Sequence, residues 1–170
     1  TSGTAVTAGG ALVALNEGED GAFEYLRQLD PNIFQYTKSG SAPGRMAAAG
    51  EVAVSVIFSH DCVSFTEETG VDMAVTFPSE GTGFEIGQVS LIAAAKNPEA
   101  GKQFIEWSLT TEAQEIAATV GSYQIPTNPD ANVPDKAVKL EDVVLAQGFT
   151  PELVTELRAN GFPDRFATEV

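Results

Sequence analysis

The chain has 170 residues, 43% of them hydrophobic and 19% charged, enough for one substantial globular domain with its own core. Its 24 acidic residues outweigh 9 basic ones for a net charge of −15, which argues against nucleic acid and anionic membrane surfaces, since both need a positive footprint. The single cysteine, Cys62, excludes an internal disulfide or cysteine zinc site and reads as a buried free thiol, and no run reaches the ~18 apolar residues of a membrane span.

The opening stretch, Thr1 to Asn16, passes from small hydroxyl residues and a glycine straight into a helical pattern, with Ala5, Leu12 and Leu15 on an apolar face. Ser2 or Thr4 is placed to cap it by accepting from an orphan backbone N–H. Its abrupt start, with no leader, predicts a processed product or part of something longer. Gly18 to Leu29 reads as a second helix, with Phe23, Leu26 and Leu29 on one face. Asp30-Pro31-Asn32 ends it, and a short strand follows at 33–36. A short helix from Ala42 to Ala49 stops at Gly50, in the position that favours glycine. Val52 to Phe58 is the best strand pattern, continuous and β-branched, as in a strand covered on both faces.

A helix from His60 to Thr69, a strand at 72–77, a glycine-rich loop at 78–83 and a strand from Phe84 to about Ala94 come next. Asn97-Pro98-Glu99 starts a helix whose buried side is Phe104, Ile105, Trp107 and Leu109. Thr110 or Thr111 caps another through Ala118, and Ser122 to Asp135 reads as a crossover or linker rich in proline and asparagine. The chain ends with a short strand near Val143 and helices at 151–159 and 163–169. Strands alternating with helices predict an α/β fold.

Two stretches combine hydroxyls, glycine and a helix start: Ser2-Gly3-Thr4 and Ser39-Gly40-Ser41. Each can be a plain N-cap. Together they suit a phosphate or phosphonate, which needs several converging N–H and O–H donors and a backbone that comes close. His60 and Asp61 directly follow the strand at 52–58, at its carboxyl end, where open α/β sheets place ligands. The alternative is a histidine capping the next helix, with Asp61 in its first turn.

Further motifs follow in a fixed order: Tyr36-Thr37-Lys38-Ser39-Gly40-Ser41-Ala42, Gly50-Glu51-Val52-Ala53, Ser59-His60-Asp61 and Pro78-Ser79-Glu80-Gly81-Thr82-Gly83-Phe84-Glu85-Ile86-Gly87. Lys96-Asn97-Pro98-Glu99-Ala100, Phe104-Ile105, Glu112-Ala113-Gln114 and Tyr123-Gln124-Ile125-Pro126-Thr127-Asn128 complete the series. In this order the sequence resembles the second half of a bacterial periplasmic solute-binding protein of an ABC importer, in the branch that takes ferric iron, 2-aminoethylphosphonate or sugar phosphates.

The resemblance implies an α/β, periplasmic-binding-protein-like lobe, with a mixed, mostly parallel sheet flanked by helices. It implies a second lobe at 1–83, a segment at 84–125 returning to a first lobe that is missing here, and a segment at 126–170 completing the second lobe. The solute would be a small phosphorylated compound held in an interlobe cleft, a hexose phosphate ahead of 2-aminoethylphosphonate. Ser2, Gly3, Thr4, Ser39, Gly40 and Ser41 would hold the phosphoryl group. His60, Asp61 and Glu80 would hold the organic part, with Glu85 the alternative to Glu80, because carboxylates accept several hydrogen bonds from hydroxyls or an ammonium.

The family's iron sites use adjacent tyrosines, whereas Tyr25, Tyr36 and Tyr123 are all separate; His60, Asp61 and Glu80 are the set left for iron. No metal or cofactor is expected. Neither is catalysis: GxSxG, P-loop and HExxH patterns do not occur, and a phosphate-ester hydrolase is the alternative from another class. Expected partners are a membrane permease and its ATPase, in the periplasm or at the outer face of the cell membrane as a lipoprotein.

Overall fold

A computed structural model describes residues 2–170; Thr1, the first letter of the predicted opening stretch, lies outside them. Helix α1 (Gly3–Leu15) starts where a serine can cap it, the Ser2 hydroxyl accepting from the Ala5 N–H at 3.2 Å. Its buried residues are Val6, Thr7, Gly9, Gly10, Ala11 and Val13. The predicted apolar face is therefore corrected in part: Leu12 packs on the core, but Ala5 is exposed and Leu15 is 36% exposed. Two aromatic rings press on the glycine side instead. A Cβ on Gly9 would stand 2.6 Å from the Phe162 ring, and one on Gly10 would stand 3.1 Å from the Phe149 ring.

Around α1 lie α2 (Glu19–Leu29), α7 (Pro151–Ala159) and α8 (Phe162–Glu169). Their core joins Val13, Ala22, Phe23, Leu26, Leu157 and Phe162. Phe23 is fully buried, with its ring centroid 5.1 Å from that of Phe162. Arg165 on α8 lays its guanidinium 4.1 Å from the Phe23 ring centroid and donates to Glu19 at 3.1 Å, Asp20 at 2.8 Å and Glu169 at 2.7 Å. Those carboxylates, Glu169 foremost, raise its pKa further. A second cluster of Ala11, Ala146 and Phe149 adds Phe84, whose ring centroid lies 5.5 Å from that of Phe149.

Helices α3 (Ala42–Ala48) and α4 (Ser59–Thr69) pack together at Gly44, where a Cβ would come 2.6 Å from Ile57 Cδ1 and 2.8 Å from the Phe65 ring. Gly50 follows α3 with φ +73°, as the sequence predicts. Cys62, on α4, is a free, half-buried thiol whose pKa burial raises. Helices α5 (Pro98–Ser108) and α6 (Thr111–Thr119) pack on each other and bury no residue fully. The predicted buried side of α5 is a second correction, since Phe104, Trp107 and Leu109 are 57%, 43% and 58% exposed.

Among the described residues, the predicted strands at 33–36, 52–58, 72–77, 84–94 and near Val143 do not pair into a sheet. The pairing present is one parallel bridge: the Thr82 N–H donates to Val144 C=O and the Ala146 N–H to Thr82 C=O, both at 2.9 Å. Residues 52–57 make no backbone–backbone hydrogen bond, and Val54 and Val56 are 82% and 71% exposed. β-Branched letters favour extended backbone, but a strand exists only where a neighbour satisfies its N–H and C=O groups. The Thr82 bridge nevertheless matters, because it runs the chain into Phe84 and Glu85 beside the start of α1.

Candidate functional site

The two hydroxyl-rich stretches, far apart in sequence, meet in space. A Cβ on Gly40 would overlap Thr4 Oγ1 and lie 3.4 Å from Ser2 Oγ, so only glycine lets this loop pass so close to the first turn of α1. Ser39 Oγ and Ser41 Oγ are 3.4 Å apart, and Thr37 Oγ1 donates to Ser39 C=O at 2.7 Å. The loop is held to the helical body through Tyr36. Its hydroxyl donates to Asp30 at 3.0 Å, and its ring meets Phe166 edge-on with centroids 5.1 Å apart. Burial, then that hydrogen bond and the Asp30 charge, push the phenol up to about 12. With seven residues, α3 offers hydroxyls more than a helix dipole; the longer α1 offers both.

An acidic group borders this cradle, and it is Glu85. Its Oε2 accepts from Thr7 Oγ1 at 3.4 Å and would stand 3.3 Å from a Cβ on Gly3. Thr7 is 3% exposed, one turn beyond Thr4 on the same helix. Glu85 and Thr7 also line a cleft of about 410 Å³ between the 84–88 stretch and α7, with Arg158 among its other walls. Glu80 is exposed, and its carboxylate turns back on its own loop. A backbone N–H of Glu80 itself and the Ser79 hydroxyl, the latter at 3.0 Å, hold its carboxyl below the usual range.

His60 and Asp61 lie in the first turn of α4, which Phe58 caps without a side-chain bond, so the histidine is not the cap. The imidazole stacks on the Phe58 ring, with centroids 5.6 Å apart and planes 15° apart. Its Nε2 stands 3.7 Å from Asp61 Oδ1 and 3.3 Å from Gln124 Nε2. Gln124 follows α6 in a stretch tied to α4 by Ser64 Oγ, which donates to Gly121 C=O at 2.8 Å. Among the described residues, no hydrogen bond or ion pair joins His60 or Asp61 to the cradle or to Glu80, and no group of three His, Cys, Asp or Glu side chains is gathered to hold a metal ion.

The structure thus brings Ser2, Thr4 and Gly40 together, Gly3 to Glu85, Ser39 to Ser41, and His60 to Asp61, while Glu80 stands apart. Sequence reasoning missed Thr7 and Gln124. Thr7 carried a signal, since it repeats Thr4 at helical spacing; Gln124 stood in a motif of the series, but only the fold brings it to His60.

The cradle is polar, glycine-permitted and open at a helix start, and the histidine–carboxylate pair lies apart from it on α4. The family model for bacterial extracellular solute-binding proteins matches residues 2–143, and the chain belongs to that family. It superposes on the periplasmic binding protein AfuA from Actinobacillus pleuropneumoniae, a structure with exogenous fructose-6-phosphate bound, with a TM-score of 0.88 and 37% identity over 100% of this chain and 53% of that one. An uncharacterized protein of Haemophilus influenzae is 43% identical over 77% of this chain and 38% of its own length. A gamma-aminobutyric acid-binding protein of Pseudomonas aeruginosa is 28% identical over 69% of this chain and 31% of its own. The chain spans about half or less of these relatives. Its family and neighbours are binding proteins rather than enzymes, and no helix among the described residues is long and apolar enough to cross a membrane.

Proposed function

We propose that the chain is the carboxyl-terminal half of a two-lobed solute-binding protein of an ABC importer, and that its solute is a small phosphorylated organic compound, a hexose phosphate first. The observation that carries this is the meeting of Ser2 and Thr4 with Gly40, which turns two weak hydroxyl motifs into one donor-rich cradle. The likeness to AfuA, a neighbour with fructose-6-phosphate bound, supports the solute class. In this reading Ser2, Gly3, Thr4, Ser39, Gly40 and Ser41 hold the phosphoryl group, and His60 and Asp61 hold hydroxyls. Glu85, not Glu80, is the further acid at the site. Residues 1–83 and 126–170 form one lobe, residues 84–125 pack on the other lobe, and the unpaired segments around Val52–Phe58 and 72–77 complete a mixed sheet. A permease and its ATPase receive the solute at the outer face of the inner membrane.

A thermal-shift titration tests it, because a ligand of the native state raises the melting point by mass action, about 2.7 kcal/mol at a hundredfold excess over Kd. A hexose 6-phosphate is expected to shift the melting point more than the hexose or inorganic phosphate alone. A second reading, an aminophosphonate, is favoured by the Glu85 carboxylate beside Gly3, which suits an ammonium as well as a hydroxyl. A shift with 2-aminoethylphosphonate alone would replace the first reading with the second.

A further inference from the structure

His60 offers only one ring nitrogen to a solute, and what that nitrogen offers is set from outside the helix that carries it. Its Nε2 faces two side chains: Gln124 Nε2 at hydrogen-bonding distance, 3.3 Å, and Asp61 Oδ1 beyond it at 3.7 Å. These partners ask for opposite tautomers. An amide N–H can only donate, so it needs an unprotonated Nε2 and places the ring proton on Nδ1. A carboxylate can only accept, so it calls for Nε2–H. Among the described residues Nδ1 has no hydrogen-bond partner, and Phe58 stacks on one ring face.

We propose that Gln124 is a positioning residue of the solute site: by donating to His60 Nε2 it fixes the Nδ1–H tautomer and makes the histidine a donor to the solute. A donor at Nδ1 suits a hydroxyl or carbonyl oxygen of the organic part. Without Gln124 the ring proton moves from Nδ1 to Nε2, where the Asp61 carboxylate accepts it, Nδ1 becomes an acceptor, and the carboxylate is drawn away from the solute. Gln124 comes from the stretch after α6, held to α4 through Ser64 and Gly121, so the histidine's state depends on how residues 84–125 sit against the lobe. The solute arm of this proposal rests on the function proposed above; the tautomer arm does not.

The chain has one histidine, so a ¹⁵N-labelled sample gives a single imidazole and its tautomer is read directly from the two ring-nitrogen shifts. The wild-type chain in alkaline solution, where the ring is neutral, is expected to show Nδ1–H. Gln124→Met keeps the side-chain length without the amide and is expected to show Nε2–H. Gln124→Glu, which can only accept from Nε2–H, is expected to do the same, and as an exposed substitution it guards against a folding defect in either variant. The same tautomer in wild type and both variants would overturn the proposal. In titrations, Gln124→Met is expected to weaken binding of a hexose 6-phosphate by about 3- to 10-fold, the worth of one hydrogen bond, while leaving inorganic phosphate unchanged. An equal loss for both would overturn Gln124 as a determinant of the organic subsite. A tautomer change in a chain whose wild type binds no hexose phosphate would support the positioning role and sink the solute reading alone.

Discussion

Two regions of this molecule carry similar apolar letters and reach opposite ends of burial. In the body built from α1, α2, α7 and α8, Phe23 and Ala22 are fully buried, and Val13, Leu26, Leu157 and Phe162 are at most 7% exposed. In the 84–125 segment, Ile92, Phe104, Trp107, Leu109 and Val120 are between 43% and 77% exposed. The difference is not hydrophobicity but closure. Each apolar stripe of the body meets another from a distant part of the chain, whereas the main helix packing of α5 and α6 is on each other. Two short helices cannot enclose a core, so their outer stripes wait for a third surface. The cradle sits on the closed side of this divide, because it is built from α1 itself and the loop that Tyr36 anchors to α8.

The comparison breaks most visibly at Phe23. Phe23→Ala removes the fully buried ring that Phe162 and Arg165 both touch, and is expected to destabilise the chain by about 3–5 kcal/mol in denaturant unfolding. An effect under 1 kcal/mol would mean that the four helices do not form the cooperative core. Glycine-to-alanine changes sharpen the point, since the same substitution should change sign between regions. Gly9→Ala gains helix propensity of about 1 kcal/mol but drives a methyl into the Phe162 ring, and a net loss of about 1–3 kcal/mol is expected. Gly101→Ala in α5 meets only the mobile end of Leu91, itself 38% exposed, so the propensity gain of up to ~1 kcal/mol should survive as added stability. Melting curves of the two variants side by side decide it.

Several helices were legible in the sequence because they carry local signals: Ser2 and Thr110 as caps, proline in the first turn of α5, glycine after α3. What was not legible depends on partners that no local pattern names. Val52 to Phe58 has the letters of a central strand, yet nothing in the described residues pairs with 52–57. The α1 face was only half legible for a related reason: Leu12 packs on the core as its letter suggests, but Ala5 and Leu15 do not, because Phe149 and Phe162 select the glycines. At the site, the hydroxyl motifs were readable singly, and their meeting at Gly40 was not. Glu80 was preferred to Glu85 on sequence; the Thr82–Leu145 bridge puts Glu85 at the start of α1, while Glu80 folds onto Ser79.

The smallest effect expected is at Trp107, and its smallness is what makes it informative. The indole is 43% exposed and its ring neighbour is Phe104, with centroids 5.6 Å apart. Trp107→Ala in this chain should therefore cost only the worth of one partly exposed aromatic pair, about 0.5–1 kcal/mol, far below the loss at Phe23. If residues 84–125 pack on the other lobe, the same substitution in a chain carrying both lobes should cost about 3–5 kcal/mol, because the indole would then be enclosed. Tryptophan fluorescence gives an independent reading, since the chain has one tryptophan. Its emission should lie toward the red in this chain and move to the blue when the second lobe is present. Equal stability losses in both contexts, with unchanged emission, would show that α5 and α6 face solvent in the whole protein and that their apolar surface serves some other contact.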